Sequence, residues 1–564
     1  MRRVSNGSPP IIGAVNGHLA SRRFVARAAL SLLPVCLSLG MTAFAQTAPE
    51  AAQETQNAGK GRILLILPFD NRTNQPSLEW IREAAAEILS SRFNSAGFAP
   101  MSRADRIYAL DHLGLPEGFQ PSRASALKLA QTLDADSIIV GSYATNGDAL
   151  EVEARVVDVP HLRISDPVSK HGQMRDLVAI FDSLSWKLTR VLDPEFSGSE
   201  DTFVAAGRGI RLDAFEQYIR GITEPDQDER LRHLKQAVSL NPAFGPAWMA
   251  LGREDYAGQQ YEDAADAFAK VGRNDPDALE AGFYRGLSLL FSGKYPQAEA
   301  AFQAVAAVLP LAEVLNNEGV AISRQGKDGS VQFTTAETAD PNQADYHFNL
   351  AVTLKRKGQA AAALAELAQC LKLRPNDSEA QELDKDWRAP AAVRAGVDQD
   401  DGASARPDPL ERIARTFDAV AFRQAAVMMD QMESARLAEL TPHDRTVKLA
   451  GQAKDYLDRG LLLEAERLYQ SAVATDGSVA EAHAGLADVR ERSGDAASAR
   501  KEAQAALELK PSAEAYLVLG RLDLADNRLD QAGKEAGEAL KLDPASRSAQ
   551  DLSRQVTLKS GKTQ

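Results

Sequence analysis

Residues Phe244–Pro310 carry one pattern twice in register. Gly252, Ala264, Phe268 and Pro276 recur as Gly286, Ala298, Phe302 and Pro310, all at one constant offset. A fixed period of about 34 residues restricts the chain to repeated pairs of helices. One pair cannot cover its own apolar face, so neighbours must stack into a solenoid. The small residues mark close helix crossings, where a bulkier side chain overpacks. Pro276 and Pro310 follow helix ends, because proline cannot continue a helix.

The period extends both ways. Pro242 precedes Pro276 by the same offset, so Leu212–Pro242 reads as a first repeat. Pro341 comes early after Pro310, with Gly326 and Gly329 in a loosened turn, and Pro375 restores the full spacing. Ser378–Trp387 reads as a capping helix. Further on, Ala465 and Ala499 keep the period, as do Gly477 and Pro511, and Pro544 follows Pro511 at almost the same spacing. Two arrays result, at 210–390 and 410–558, with roughly eight helix pairs between them. The segment 391–409 is rich in Gly, Pro and Asp and reads as a flexible linker. Leu410–Leu440 reads as helical. Its stripe of Ile413, Phe417, Val420, Ala421, Ala425, Met428, Met429 and Met432 is assigned to core, with an adaptable methionine surface as the other reading.

Trp248, Leu251 and Gly252, with Ala264 and Phe268 four apart and then Pro276, give a spacing that resembles the tetratricopeptide repeat. The resemblance implies an all-α solenoid in which the first helix of each pair lines a concave groove for protein or peptide partners. By register it places Arg253, Tyr256, Phe283, Leu287, Asn316, Asn317, Phe348, Asn349 and Lys355 on that groove. Asn317 and Asn349 share a repeat position, two residues before Gly319 and Ala351. An Asn there resembles the family residue that hydrogen-bonds a bound peptide's backbone, and an amide offers an extended chain both donor and acceptor. The other reading has these amides cap nearby backbone or meet water. Met249, Phe283 and Phe348 stand where the carboxylate-clamp subfamily has Lys or Asn, so recognition of a free carboxylate is not expected.

The amino terminus reads as an export signal. Arg22, Arg23 and Arg27 precede the apolar run Ala28–Met41, and Ala43-Phe44-Ala45 supplies a small-x-small cleavage motif before Gln46. The run is too short for a membrane span. Ser21-Arg22-Arg23-Phe24-Val25 resembles a twin-arginine signal with Phe one place early, and Val35 directly before Cys36 makes a poor lipid-attachment box. Residues 1–45 are therefore a signal peptide, and 46–60 a polar, disordered spacer, in a chain expected in the periplasm or medium.

Residues 61–195 read as a small α/β domain in the order β-α-β-α-β-β-α. Arg62–Leu67 is a buried strand, Ser102–Asp105 a capping box, and Ser137–Thr145 with Ala149–Val159 a hairpin turning on Asn146-Gly147. ILPFDN and LDADSIIVGSYATNGDALEVEARVVDV resemble the TolB-like amino-terminal domain, which implies a non-catalytic envelope or signalling module. Asp70-Asn71-Arg72 offers either a ligand site at a strand's carboxyl end or an Asx turn; the turn is the expected reading.

The net charge of −14 leaves no basic surplus to replace phosphate counterions, so nucleic-acid partners are not expected. Cys36 lies in the leader, so Cys370 alone remains, and neither a disulfide framework nor a Cys-based zinc site is possible. The histidines show no metal spacing, and there is no phosphate loop or nucleophile elbow, so neither cofactor nor metal is expected. The expected function is a non-enzymatic exported scaffold, with the α/β domain docking a second envelope partner. The alternative is a regulatory subunit of an envelope machine for export, assembly or cell-wall synthesis; an enzyme centred on residues 61–195 ranks last.

Overall fold

A computed structural model describes residues 63–116, 119, 122–389, 409–418, 428 and 432–561. The signal peptide and spacer readings lie outside these residues.

A seven-stranded sheet opens the described chain. It comprises β1 (Ile63–Ile66), β2 (Asp70–Asn71), β3 (Ala99–Pro100), β4 (Ser137–Asn146), β5 (Ala149–Asp158), β6 (Arg163–Ile164) and β7 (Val168–Gln173). The path is β3-β1-β4-β5-β6, with β2 beside β4 and β7 beside β5. The strand β1 is aliphatic throughout because both its faces are covered. Leu64 and Ile66 join the core under α1 (Ile81–Ser95) and α4 (Leu177–Leu192). Leu65 and Leu67 meet α2 (Arg103–His112) and α3 (Arg123–Thr132). The capping box forms: Ser102 Oγ accepts from Asp105 N, and the Asp105 carboxylate from Ser102 N.

Asp70 and Asn71 pair with Ser142 and Tyr143 of β4, and Asn71 Oδ1 accepts from Thr73 N at 2.9 Å and from Thr73 Oγ1 at 2.7 Å, so an Asx turn begins at the end of β2. The hairpin turns one residue later than expected. Asn146 pairs with Ala149, the central residues are Gly147 and Asp148, and φ is positive (61°) at Gly147. A turn with Gly at its first central position needs only that one left-handed residue. The strand β7 was missed because VSKHGQ is a polar edge strand with no apolar run.

The helix α5 (Glu200–Ala206) links this domain to a solenoid. The first array pairs α6 (Leu212–Thr223) with α7 (Gln227–Leu240), α8 (Gly245–Ala257) with α9 (Tyr261–Phe268) and α10 (Ala278–Phe291) with α11 (Tyr295–Ala306). It continues with α12 (Ala312–Ser323) and α13 (Ser330–Ala339), α14 (Ala344–Arg356) and α15 (Ala360–Leu373), and ends on α16 (Ser378–Arg388). The second array pairs α17 (Pro442–Asp458) with α18 (Leu462–Thr475), α19 (Ala480–Ser493) with α20 (Ala496–Leu509), and α21 (Ala513–Ala525) with α22 (Leu529–Leu542), closing on α23 (Arg547–Ser560). No helix among the described residues is long and apolar enough to cross a membrane.

The period has a packing cause. A Cβ at Gly252 would stand 2.7 Å from the Phe268 ring, and one at Gly286 would stand 2.6 Å from Phe302. The glycine of each first helix thus seats the phenylalanine of its partner helix. Ala264 is fully buried among Met249, Phe268 and Ala281. Ala264→Leu is expected to cost about 1–3 kcal/mol by overpacking, read as a lower thermal unfolding temperature; an unchanged melt would contradict this register.

The two arrays and the α/β domain pack on one another. The core under α1 and α4 runs through Phe203, Phe215, Ile219 and Leu234 into the first repeat without a break. Arg208 reaches the carboxyl end of α19, donating to Ser493 O at 2.7 Å and to Arg492 O at 3.1 Å, where a cation meets the negative end of the helix dipole. The buried Glu466 carboxylate of α18 accepts from Ser199 N and pairs with Arg490 at 2.9 Å.

The stretch Leu410–Leu440 departs from its expected helix. Leu410–Asp418 is not helical; among the described residues that follow, Met428 and 432–439 are. Ile413 and Phe417 pack on the first array, while Met428 and Met432 are exposed, so these residues form no common core stripe. The reason is tertiary: the backbone of 412–414 finds its hydrogen-bond partners in side chains of another element. Val420, Ala421, Ala425 and Met429, and the linker residues 391–408, lie outside the described residues.

Candidate functional site

Helices α12 and α14 are the first helices of adjacent pairs and present matching positions one shortened repeat apart. Glu313, Asn317 and Arg324 on or just after α12 correspond to Asp345, Asn349 and Arg356 on α14. Side chains one and two helical turns apart share one helical face. Across that face lies the chain's own segment 409–418.

The two asparagines grip its backbone with both ends of their amides. Asn349 Nδ2 donates to Arg412 O at 2.7 Å, and its Oδ1 accepts from Arg412 N at 2.6 Å. Asn317 Nδ2 donates to Ala414 O at 2.8 Å, and its Oδ1 accepts from Ala414 N at 2.9 Å. Alternate residues are held because successive backbone groups of an extended chain point to opposite sides. Asn316 Nδ2 adds a bond to Arg412 O at 3.1 Å, and its Oδ1 accepts from Asn349 Nδ2 at 2.8 Å. All three asparagines are fully buried, so each unmade bond would carry a desolvation cost of about 1–3 kcal/mol.

The side chains of the segment enter separate sites. The Glu411 carboxylate is 3% exposed; it accepts from Ser323 Oγ and Arg356 Nη1 and lies 3.6 Å from Arg324 Nε. The Arg412 guanidinium lies 3.6 Å above the Phe348 ring and pairs with Asp345 at 2.9 Å, Asp377 at 2.5 Å and Glu379 at 2.9 Å. The hydrogen bond from Arg412 holds the Asp377 carboxyl below its ordinary range, outweighing the opposite effect of burial. Phe417 packs 5.6 Å from Phe283, Arg415 stands 5.6 Å over Phe291, and Asp418 N donates to Glu313 Oε1 at 3.1 Å.

Of the sequence-predicted groove residues, Phe283, Asn316, Asn317, Phe348 and Asn349 meet the segment. Arg253 instead pairs with Glu280 at 2.8 Å. Tyr256 sits in an aromatic group with Tyr261 at 5.7 Å and Tyr284 at 5.5 Å. Lys355 lies 5.2 Å over Trp387, and Leu287 is fully buried in the core. Sequence reasoning missed Glu313, Ser323, Arg324, Asp345, Arg356, Asp377 and Glu379. Helical offsets from Asn317 and Asn349 along the same face would have reached Glu313, Asp345, Arg324 and Arg356; Asp377 and Glu379, at and beside the cap of α16, are brought in by the fold.

On another face of α14, His347 Nδ1 is 2.8 Å from Glu366 Oε2, and Nε2 is 3.0 Å from Pro341 O. Burial disfavours the charged ring, but its bonds to Glu366 and Pro341 O more than offset that and raise its pKa above the ordinary 6.5. A raised folded-state value makes this contribution complete below the unfolded value and lost as pH rises through the folded one. The difference between the unfolding midpoints of the native chain and of His347→Gln is therefore expected to be full and constant below pH 6.5 and to shrink as pH rises above it; a difference independent of pH would remove His347 from the pH dependence.

Tetratricopeptide-repeat family models match residues 249–313, 344–377, 451–514 and 485–549. These helix pairs are tetratricopeptide repeats. Solved structures similar to parts of the chain include YrrB, described as a tetratricopeptide protein with an unusual peptide-binding site. It is 18% identical over 36% of this chain and 97% of its own, with a TM-score of 0.27. A structure of MamA is 16% identical over 28% and 96%, with a TM-score of 0.27. The carboxyl-terminal domain of LpoB from Salmonella enterica is 21% identical over 22% and 92%, with a TM-score of 0.18. No curated protein sequence matches the chain. The matched helix pairs thus form tetratricopeptide repeats behind a small α/β domain, an architecture consistent with protein–protein interaction.

Proposed function

We propose that this protein is an exported, non-enzymatic scaffold whose first tetratricopeptide array captures an extended protein segment by its backbone. The observation that carries the reading is the pair of two-ended amide bonds from Asn317 and Asn349 to alternate backbone residues. Such bonds fix strand direction and register whatever the side chains are, and flanking pockets then select sequence. In the same reading, the α/β domain is TolB-like and docks a second envelope partner. Export is supported by the arginines before Ala28–Met41 and by the Ala43-Phe44-Ala45 motif.

A photocrosslinking residue in place of Tyr256, in the native host and in both the native chain and one whose residues 409–418 are replaced by Gly and Ser, tests capture. Mass spectrometry is expected to find a defined segment of a partner crosslinked there, and recovery of no polypeptide would refute groove binding. The intact mass of the purified protein tests export, since cleavage after Ala45 leaves Gln46 as the first residue; a chain retaining residues 1–45 would contradict it.

A further inference from the structure

The groove of the first array is filled by the chain itself, and the filling is side-chain-specific as well as backbone-specific. A segment that merely spanned the gap between α16 and the second array would need no buried carboxylate. Yet Glu411 is buried against Ser323, Arg324 and Arg356, and burying a carboxylate is costly unless it is paired. The next residue has the opposite charge and enters a pocket of opposite character, with Phe348 beneath and Asp345, Asp377 and Glu379 around it. Exchanging the two side chains would set like charges together in both pockets, so the order Glu then Arg is fixed by the groove. Ile413 and Phe417 then add an aliphatic and an aromatic anchor on the Phe283 side.

Resting on the backbone-capture reading above, we propose that segment 409–418 is a resident competitor that closes the groove in cis. Its sequence states the ligand class: an extended protein segment bearing an acidic residue, then arginine, then an aliphatic residue, with phenylalanine four positions beyond the aliphatic. The segment is joined to α16 by residues 389–408. A tether of that kind holds it at an effective concentration on the order of millimolar, so weak contacts suffice to keep the groove closed against dilute partners. A partner opens it by presenting the same side chains at higher affinity or in several copies.

The test uses the full chain in three forms: native, Arg412→Glu, and one in which residues 409–418 are replaced by the same number of Gly and Ser residues. The second altered form guards against misfolding of the first. The probe is a fluorescein-labelled peptide PLERIARTFD, the sequence of 409–418, beside the same peptide with alanine at its Glu, Arg and Phe positions. Anisotropy is expected to show the native-sequence probe binding the altered chains at least about tenfold more tightly than the native chain, and the alanine peptide binding them at least about tenfold less tightly than the probe. Equal affinity of the probe for all three chains overturns the closed groove. Equal affinity of both peptides for the opened chains, lost with Asn317→Ala and Asn349→Ala, overturns the sequence rule and leaves backbone capture standing. Binding of neither peptide to either opened chain overturns backbone capture and this proposal with it. A native dimer that the probe converts to monomer places the segment in a second copy and overturns closure in cis.

Discussion

Changing Asn317 and Asn349 together to alanine, in the chain whose 409–418 segment is replaced by Gly and Ser, lowers its affinity for the PLERIARTFD peptide about a hundredfold. The four bonds these residues make to Arg412 and Ala414 are each worth about 0.5–1.5 kcal/mol net, so the pair contributes about 2–6 kcal/mol. A hundredfold loss corresponds to about 2.7 kcal/mol, inside that range. With the groove empty both amides face water, so the same substitutions should move folding stability by only about 0.5 kcal/mol. Titration with the labelled peptide and a denaturant melt of the same protein separate the two effects. Retained affinity would remove the asparagines from capture, and a large stability loss would assign them to the fold.

Phe283→Ala is expected to show the reverse balance. Phe283 is fully buried, edge-on to Phe302 at 6.0 Å and to Tyr284 at 5.4 Å, with Phe417 of the segment on its remaining side. Truncating a buried phenylalanine costs about 3–5 kcal/mol, from lost transfer energy and the cavity left behind. A chemical-denaturation midpoint well below that of the native chain is the expected result. A stability change no larger than that of an exposed substitution would return Phe283 to the groove as a ligand contact alone.

The contrast between these residues shows where sequence reading succeeded and where it stopped. The spacing of Gly252, Phe268, Gly286 and Phe302 located helix pairs because each glycine–phenylalanine contact lies within one pair and recurs with the period. Register then carried Asn317 and Asn349 to the groove, since helical periodicity decides which side chains share a face. It could not tell that Phe283 meets both the stack and segment 409–418 while Leu287 lies in the core, because burial depends on what lies across from a residue. The same limit explains Leu410–Asp418. Its apolar spacing suits a helix, but its backbone is satisfied by Asn316, Asn317 and Asn349, all far upstream in the chain. Local propensity is a weak prior against long-range partners such as these.

The sequence by itself determined the repeat, its slip between Pro310 and Pro341, the strand–helix character of the first domain and the candidate asparagines. These follow from local periodicity and turn chemistry, which are short-range. The tertiary structure alone decided that one core runs from the sheet into the first repeat, and that the second array rests on the connector through Arg208 and Glu466. It also decided that the groove holds segment 409–418. Each of these arrangements brings together groups far apart in the chain whose burial is favourable only in one another's presence: Glu411 with Arg356, Arg412 with Asp377, and Arg208 with the end of α19.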